Sequence, residues 1–351
     1  MAADNSTTQA ANWSLYPYQP VKALPILFAV GFLTCGAIMV FQCLTRYGLK
    51  RYTYTMSFAS IVWAAGFGCR MASIYMDQNI DIFVAQYVLL FVGPPLFAGA
   101  EYFIFGRVLA YVPYHAPIHP GRVLSTFIIL DTVVEILAIN GASAQASAKT
   151  VDERNSGLSR MLAALVLQTI LELGFFSLVA LIERRCRKAR LFPRNLRIVC
   201  YILYVTSLMM LVRCIYRIVE GFEVMKCPLD VPNCGPVDQH EWFFYVFEVA
   251  NIFLFVMLLT IFPPGKYLPA NDKIYLDLLD GTERWGPGFA NADSRPFWQT
   301  VLDPFNIHRL ITGSGLIDDK FWERDNPRYE RDASVHKGET EVSAVKATVA
   351  H

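Results

Sequence analysis

The sequence predicts an all-α, polytopic membrane protein of seven transmembrane helices, with its N-terminus outside and its C-terminus in the cytoplasm. Three observations carry this expectation. Seven apolar stretches each approach the ~20 residues that cross a hydrocarbon core about 30 Å thick. The 351 residues are 54% hydrophobic and only 17% charged, with a mean hydropathy of +0.34. The basic residues gather on alternate loops. In lipid each crossing must satisfy its own backbone polar groups, which a helix does. Most soluble-enzyme readings are thereby excluded, and a net charge of +1 gives no electrostatic footprint for nucleic acid.

The first 22 residues are polar. Asn5-Ser-Thr and Asn12-Trp-Ser are each either a glycosylation acceptor, usable only on the lumenal side, or a chance triplet. No cleavable signal peptide is evident, because the following apolar segment is too long for an h-region, so the first span is expected to serve as uncleaved signal and anchor. The spans are Leu24–Thr45, Tyr54–Met76, Ile82–Phe105, Val123–Ala144, Leu158–Ile182, Ile198–Val219 and Trp242–Phe262. Pro94-Pro95 interrupts the third, either as a kink that shapes packing or as a hinge beside a lipid cavity. An odd number of spans, with no internal repeat, argues against a duplicated transporter. The chain divides into an extracellular tail (1–22), a seven-helix domain (23–265) and a cytoplasmic tail (266–351). That last tail is expected to be mostly disordered, with a short helix around Asp272–Leu279, and to be available to regulatory proteins.

Orientation follows from basic residues in the short loops. Arg46, Lys50, Arg51, Arg107, Arg122, Arg184, Arg185, Arg187, Lys188, Arg190, Arg194 and Arg197 fall on one side. Lys22, Lys149, Arg154 and Lys226 fall on the other, and twelve against four places the first side in the cytoplasm. Of eight cysteines, Cys227 and Cys234 share the predicted outer loop between spans 6 and 7. In an oxidising space they are expected to be bridged, the alternative being two free thiols. Cys35, Cys43, Cys69, Cys200 and Cys214 lie in spans and read as small packing residues.

Ionisable residues inside a membrane cost about 2.5–3.5 kcal/mol each on insertion scales and face the bundle interior. Here they are numerous: Arg70, Glu101, Arg107, Asp131, Glu135, Glu172, Arg213, Arg217 and Glu248, with Glu220, His240 and Glu241 at the rim. Arg213, Arg217 and Glu220 occupy i, i+4 and i+7, one helix face that can meet Glu248 on the next helix. Two readings stand open. The charges are ion pairs that fix helix register, or they line a polar cavity for the headgroup of an amphipath. Glu135 and Glu172, near mid-depth, are candidates for proton coupling, because burial disfavours the charged form of a carboxyl.

Other chemistries lack their residues. The sequence has no phosphate loop, no lysine within a span for a Schiff base, no histidine pair on a membrane helix and no nucleophile set. No metal or organic cofactor is expected, and a lone His240 at a helix start is more often a cap than a ligand.

Three motifs carry a family resemblance. Glu101–Arg107 (EYFIFGR) resembles the Glu-Tyr and Gly-Arg signature of the third helix in the fungal lipid-translocating exporters. Val212–Gly221 (VRCIYRIVEG) is similar to that family's Arg-x-x-Tyr-Arg-x-x-Glu motif. His240–Glu248 (HEWFFYVFE) is similar to its His-Glu-x-x-x-Tyr-x-x-Asp/Glu motif, followed by Pro264-Gly265. The chain is thus identified as resembling exporters of the aminocholesterol-resistance and sphingoid long-chain-base type across the whole seven-helix region. One departure bears on ligand specificity: Asp131–Ser143 has Ala138 and then Gly141-Ala142-Ser143 where the family has a glutamine and a glycine triplet, and it adds Glu135.

The resemblance adds Tyr216 and Tyr245 to the candidate ligand residues. It implies a plasma-membrane protein that moves membrane lipids or other amphipaths and contributes to resistance to toxic ones. With no ATP site, movement is downhill or coupled to protons. The alternative is a seven-helix lipid or stress sensor without transport activity, which an outside N-terminus, a basic third cytoplasmic loop and a long tail also suit. An intramembrane enzyme lacks its catalytic set.

Overall fold

The computed structural model describes residues 20–76, 79–116, 120–146, 148, 150–226, 235–277 and 281–286. Asn5, Asn12, Cys227, Cys234 and residues 287–351 lie outside this set, and with them the glycosylation and disulfide expectations.

Seven helices are long and apolar enough to cross a membrane, so this is a multi-pass membrane protein. Helix α1 (Ala23–Gln42) continues into a π-helical turn, Cys43–Tyr47. It is followed by α2 (Lys50–Tyr75), α3 (Ile80–Tyr111), α4 (Pro120–Ala146), α5 (Val151–Lys188) and α6 (Arg194–Lys226). After the short α7 (Pro236–Gln239), the seventh span is built from α8 (Glu241–Phe244), a π-helical turn (Tyr245–Ala250) and α9 (Asn251–Ile261). Gly48, at φ 60°, supplies the left-handed turn between α1 and α2.

Helices α3 to α6 overshoot the predicted spans at both ends. α5 has 38 residues, about 57 Å at the α-helical rise, so nearly half of it projects past a hydrocarbon core. Its polar ends explain the extension. Thr150 Oγ1 accepts from Glu153 N at 3.3 Å, Asp152 and Glu153 sit in the first turn, and Arg185, Arg187 and Lys188 sit in the last. Both sets of charges complement the helix dipole.

Consecutive helices α1 to α6 pack as neighbours. The seventh span closes the ring against α1 and α6, and α3 touches α6 across the middle. Leu27, Phe41, Val133, Ile136, Ile170 and Leu208 are exposed on the outside. In water such a surface would aggregate; in a bilayer it is the solvated face. Inside, Phe32, Trp63, Phe67 and Phe97 are wholly buried and meet at ring centroid distances of 5.0 to 6.2 Å. α3 runs without a break through Pro94 and Pro95, although each proline lacks the N–H that would close a helical hydrogen bond. Just ahead of them the Trp63 indole lies on bare backbone: a Cβ on Gly93 would sit 1.8 Å from Trp63 Nε1.

Beyond the seventh span, Pro264–Lys266 forms a 3₁₀ turn. The chain then folds back as an antiparallel hairpin of β1 (Ile274–Leu276) and β2 (Glu283–Trp285), with Ile274 opposite Trp285. In the described part of Asp272–Leu279, where a short helix is expected, the chain forms the strand Ile274–Leu276 instead. Ile274, Tyr275 and Leu276 are all buried, with β1 against α3. Gly281, at φ 65°, makes the turn that lets Asp277 N donate to Thr282 O at 2.9 Å.

A buried charged column as the candidate functional site

The intramembrane charges form a column through the bundle interior. At the N-terminal end, Arg70 lies near the end of α2. Its Nη2 donates to Glu241 Oε1 at 2.8 Å, and Val21 N donates to Glu241 Oε2 at 2.8 Å. The guanidinium also lies 4.9 Å from the Phe244 ring centroid and 5.7 Å from that of Tyr245, positions suited to cation–π attraction.

One layer deeper is the cluster of α6 and the seventh span. Arg217 Nη1 donates to Glu220 Oε2 at 2.7 Å, and Arg217 Nη2 pairs with Glu248 Oε2. Arg213 Nε stands 3.6 Å from Glu248 Oε1, an ion pair without a hydrogen bond. Arg213 and Glu248 are each 1% exposed. Tyr216 OH donates to Glu220 Oε1 at 3.2 Å, and its ring stacks on Phe247. Counting along α6, Arg217 and Arg213 lie about 14 and 20 Å from the Lys226 end. At such depth an unpaired arginine costs several kcal/mol, so the pairing decides how α6 meets the seventh span.

The helix-face reading of Arg213, Arg217 and Glu220 thus meets Glu248 as the spacing predicts, while Glu241 serves Arg70 instead. On an uninterrupted α-helix Glu241 and Glu248 would share a face. The wider turn at Tyr245–Ala250 advances each residue by a smaller angle, so the two acids serve different neighbours, α2 and α6.

Towards the other end come four acids from three helices: Glu101 on α3, Asp131 and Glu135 on α4, and Glu172 on α5. Glu101, Asp131 and Glu172 are buried and Glu135 is half-buried. Glu135 and Glu172 are within electrostatic reach of Arg213, which joins this layer to the one above. Glu101, Asp131 and Glu172 are within reach of one another but share no hydrogen bond or ion pair. Arg107, half-buried lower on α3, donates to Pro269 O in the segment that folds back under the bundle. Tyr111 OH donates to Glu283 Oε1 at 2.8 Å beside it. Arg107→Ala is expected to loosen this hairpin by about 1.5 kcal/mol, the value of a hydrogen bond to a charged group. Amide hydrogen exchange should then quicken roughly tenfold at Tyr275–Asp277 and stay unchanged in α6.

Sequence reading does not single out Tyr52 or Asn251, and it meets Tyr102 only as the tyrosine of the Glu-Tyr signature, not as a candidate site residue. Tyr102 lies beside Asp131, and Tyr52 is within reach of Glu101. The adjacency of Tyr102 to Glu101 was the available signal; for Tyr52, at the start of α2, there was none. Asn251 Nδ2 donates to Met209 O at 2.6 Å, tying the seventh span to α6 below the arginines. Among the described residues, no three His, Cys, Asp or Glu side chains converge as a metal site.

Residues 56–271 match the model of the family described as RTA1 like protein, a stretch that contains every charge of the column. A lipid-translocating exporter-like protein RTA1 of Leptosphaeria maculans is 31% identical over 90% of this chain, which spans 62% of that relative's length. A second protein of that name, from Ajellomyces capsulatus, is 27% identical over 81% of this chain and 89% of its own. Protein RTA1 of Saccharomyces cerevisiae is 27% identical over 71% of this chain and 84% of its own. No solved structure matches. The match to the family model across the whole span of the column, from α2 to the turn beyond the seventh helix, makes this chain a member of the RTA1-like family.

Proposed function

We propose that the protein translocates lipid-like amphipaths across the plasma membrane and so contributes to resistance to toxic ones. The observation that carries this reading is the column itself. Charged side chains from α2 to α6 and the seventh span form a polar interior running between the two ends of a bundle whose outside is apolar. A headgroup needs such a path while its acyl chain stays in lipid, and relatives named lipid-translocating exporter-like proteins align over most of this chain. Arg70, Glu101, Arg107, Asp131, Glu135, Glu172, Arg213, Tyr216, Arg217, Glu220, Glu241, Tyr245 and Glu248 are the proposed lining. Because the arginine layer is closed by ion pairs, passage requires the seventh span to part from α6. The reaction is movement without bond making, so the protein is not an enzyme.

The test is reconstitution of purified full-length protein into liposomes with a panel of labelled lysolipids, sphingoid bases and sterols. A translocator moves at least one class without partners. A sensor binds but moves none, and that outcome would replace this reading with the sensor. The proposed orientation puts the tail in the cytoplasm. Protease added to intact cells should spare a C-terminal epitope tag, and cleavage of the tag would reverse it.

A further inference from the structure

We propose that Glu101, Asp131 and Glu172 form a proton-binding site that couples lipid movement to the flow of protons. The coupling half rests on the translocation reading; the binding of protons by this cluster does not.

The charge balance of the column leads to it. Arg217 is neutralised by Glu220 and Glu248. Arg213 faces Glu248, Glu135 and Glu172. No basic side chain is paired with Glu101 or Asp131 among the described residues, although both are buried. Carboxylates without a counter-charge in a low-dielectric interior are kept as neutral acids, that is, by binding protons.

A second observation comes from the hydrogen bonds around the cluster. The Tyr102 hydroxyl is fully buried beside Asp131 and within reach of Glu101 and Glu172, yet it makes no hydrogen bond of normal geometry. Both Glu101 oxygens and Glu172 Oε2 likewise make no hydrogen bond of normal geometry, although the Thr206 hydroxyl lies beside Glu101. Unmade hydrogen bonds at buried polar groups are costly, and here several of them lie within electrostatic reach of one another. A carboxyl that carries a proton becomes a donor, and its neighbours become acceptors.

The groups facing the cluster, beyond its own three acids, come from four helices. α2 contributes Tyr52, α3 Tyr102, α4 Glu135, and α6 Arg213, Cys214 and the Thr206 hydroxyl. Arg213, the one cation facing the cluster among the described residues, stands on the side of the arginine layer. It links the protonation of Glu172 to the ion pairs of Glu248: a deprotonated Glu172 competes with Glu248 for Arg213, and a protonated one releases it. That competition is the coupling device, because parting α6 from the seventh span breaks the same Arg213–Glu248 pair. A metal ion would require several ligands converging on one point, and among the described residues no three acids converge so. A proton needs only one carboxylate oxygen. In each transfer an O–H bond breaks at one carboxyl or hydroxyl and forms at the next, so the net event is the movement of H⁺ and no oxidant or reductant is involved.

Two measurements on the full chain test this. Infrared difference spectra of the detergent-purified protein near neutral pH should show protonated-carboxyl bands, diminished in Glu101→Gln, Asp131→Asn or Glu172→Gln. Absence of such bands, or bands untouched by all three substitutions, overturns proton binding. In proteoliposomes with an imposed pH gradient, one proton per lipid shifts the steady-state inside-to-outside lipid ratio about tenfold per pH unit. Glu172→Gln should lose that response, and Glu183→Gln, whose carboxylate pairs with Arg187 outside the column, should keep it. A wild-type protein that moves lipid to the same ratio in every gradient overturns the coupling and leaves translocation standing. A wild-type protein that moves no lipid overturns translocation and coupling together, and the infrared result still decides whether the cluster binds protons.

Discussion

Arg217→Ala is expected to abolish lipid movement and to lower the abundance of folded protein. The substitution removes the guanidinium that holds Glu220 and Glu248 together and leaves Glu248, almost wholly buried, with only the long Arg213 pair at 3.6 Å. Breaking a buried ion pair by deleting one partner costs about 3–5 kcal/mol, most of it the penalty of the charge left behind. The cation–π positions over Phe91 and Phe244 are lost with it. Restoring charge balance should restore folding. In Arg217→Met combined with Glu248→Leu, no charge is stranded: Glu220 lies nearer the rim, and Arg213 keeps Glu135 and Glu172 within reach. Fluorescence-detected gel filtration of the three proteins reads the abundance, and transport assays on the same preparations read the function. Normal abundance together with normal transport in Arg217→Ala would contradict both roles of the cluster.

Gly141→Leu and Gly157→Leu are each expected to prevent the bundle from assembling. A Cβ on Gly141 would sit 2.5 Å from Met161 N and 2.8 Å from Gly157 O, and one on Gly157 would sit 2.6 Å from Gln145 N and 2.9 Å from Gly141 O. The obstructing atoms are backbone, so no rotamer change can relieve them. The two glycines bring α4 and α5 into near backbone contact, the membrane packing device of small residues at a crossing. Forcing the helices apart costs about 3 kcal/mol or more and displaces Asp131, Glu135 and Glu172 from α6. Gly174 on the same α5 meets nothing within 4 Å, so Gly174→Ala should leave abundance unchanged. Well-folded Gly141→Leu protein would show that this crossing does not hold the bundle.

The seven spans were legible because each is an apolar run of bilayer length, and the positions of the charges within them follow from counting residues. Helix ends were not, because polar turns beyond the lipid carry no hydropathy signal, as α5 shows from Val151 to Lys188. The face of Arg213, Arg217 and Glu220 was readable from α-helical spacing. The partner of Glu241 was not, because a π-helical turn leaves no periodic mark in Tyr245–Ala250. Ile274, Tyr275 and Leu276 sit among further leucines and read as a helix, but burial against α3 and the turn at Gly281 make them a strand. Gly141 stands out in the sequence only as the surviving member of a glycine triplet; its reason, the backbone of Met161, is a contact between helices that no local pattern reports.

The most direct test of the column as a lipid path compares two proteins in one assay. Wild type and the Arg217→Met, Glu248→Leu double variant, each purified intact, are reconstituted at equal density, and the initial rate of labelled lysolipid movement between leaflets is measured. The charged column requires wild type to move the lipid well above protein-free vesicles and the folded double variant to fall to that background. Equal rates in the two proteins would contradict it.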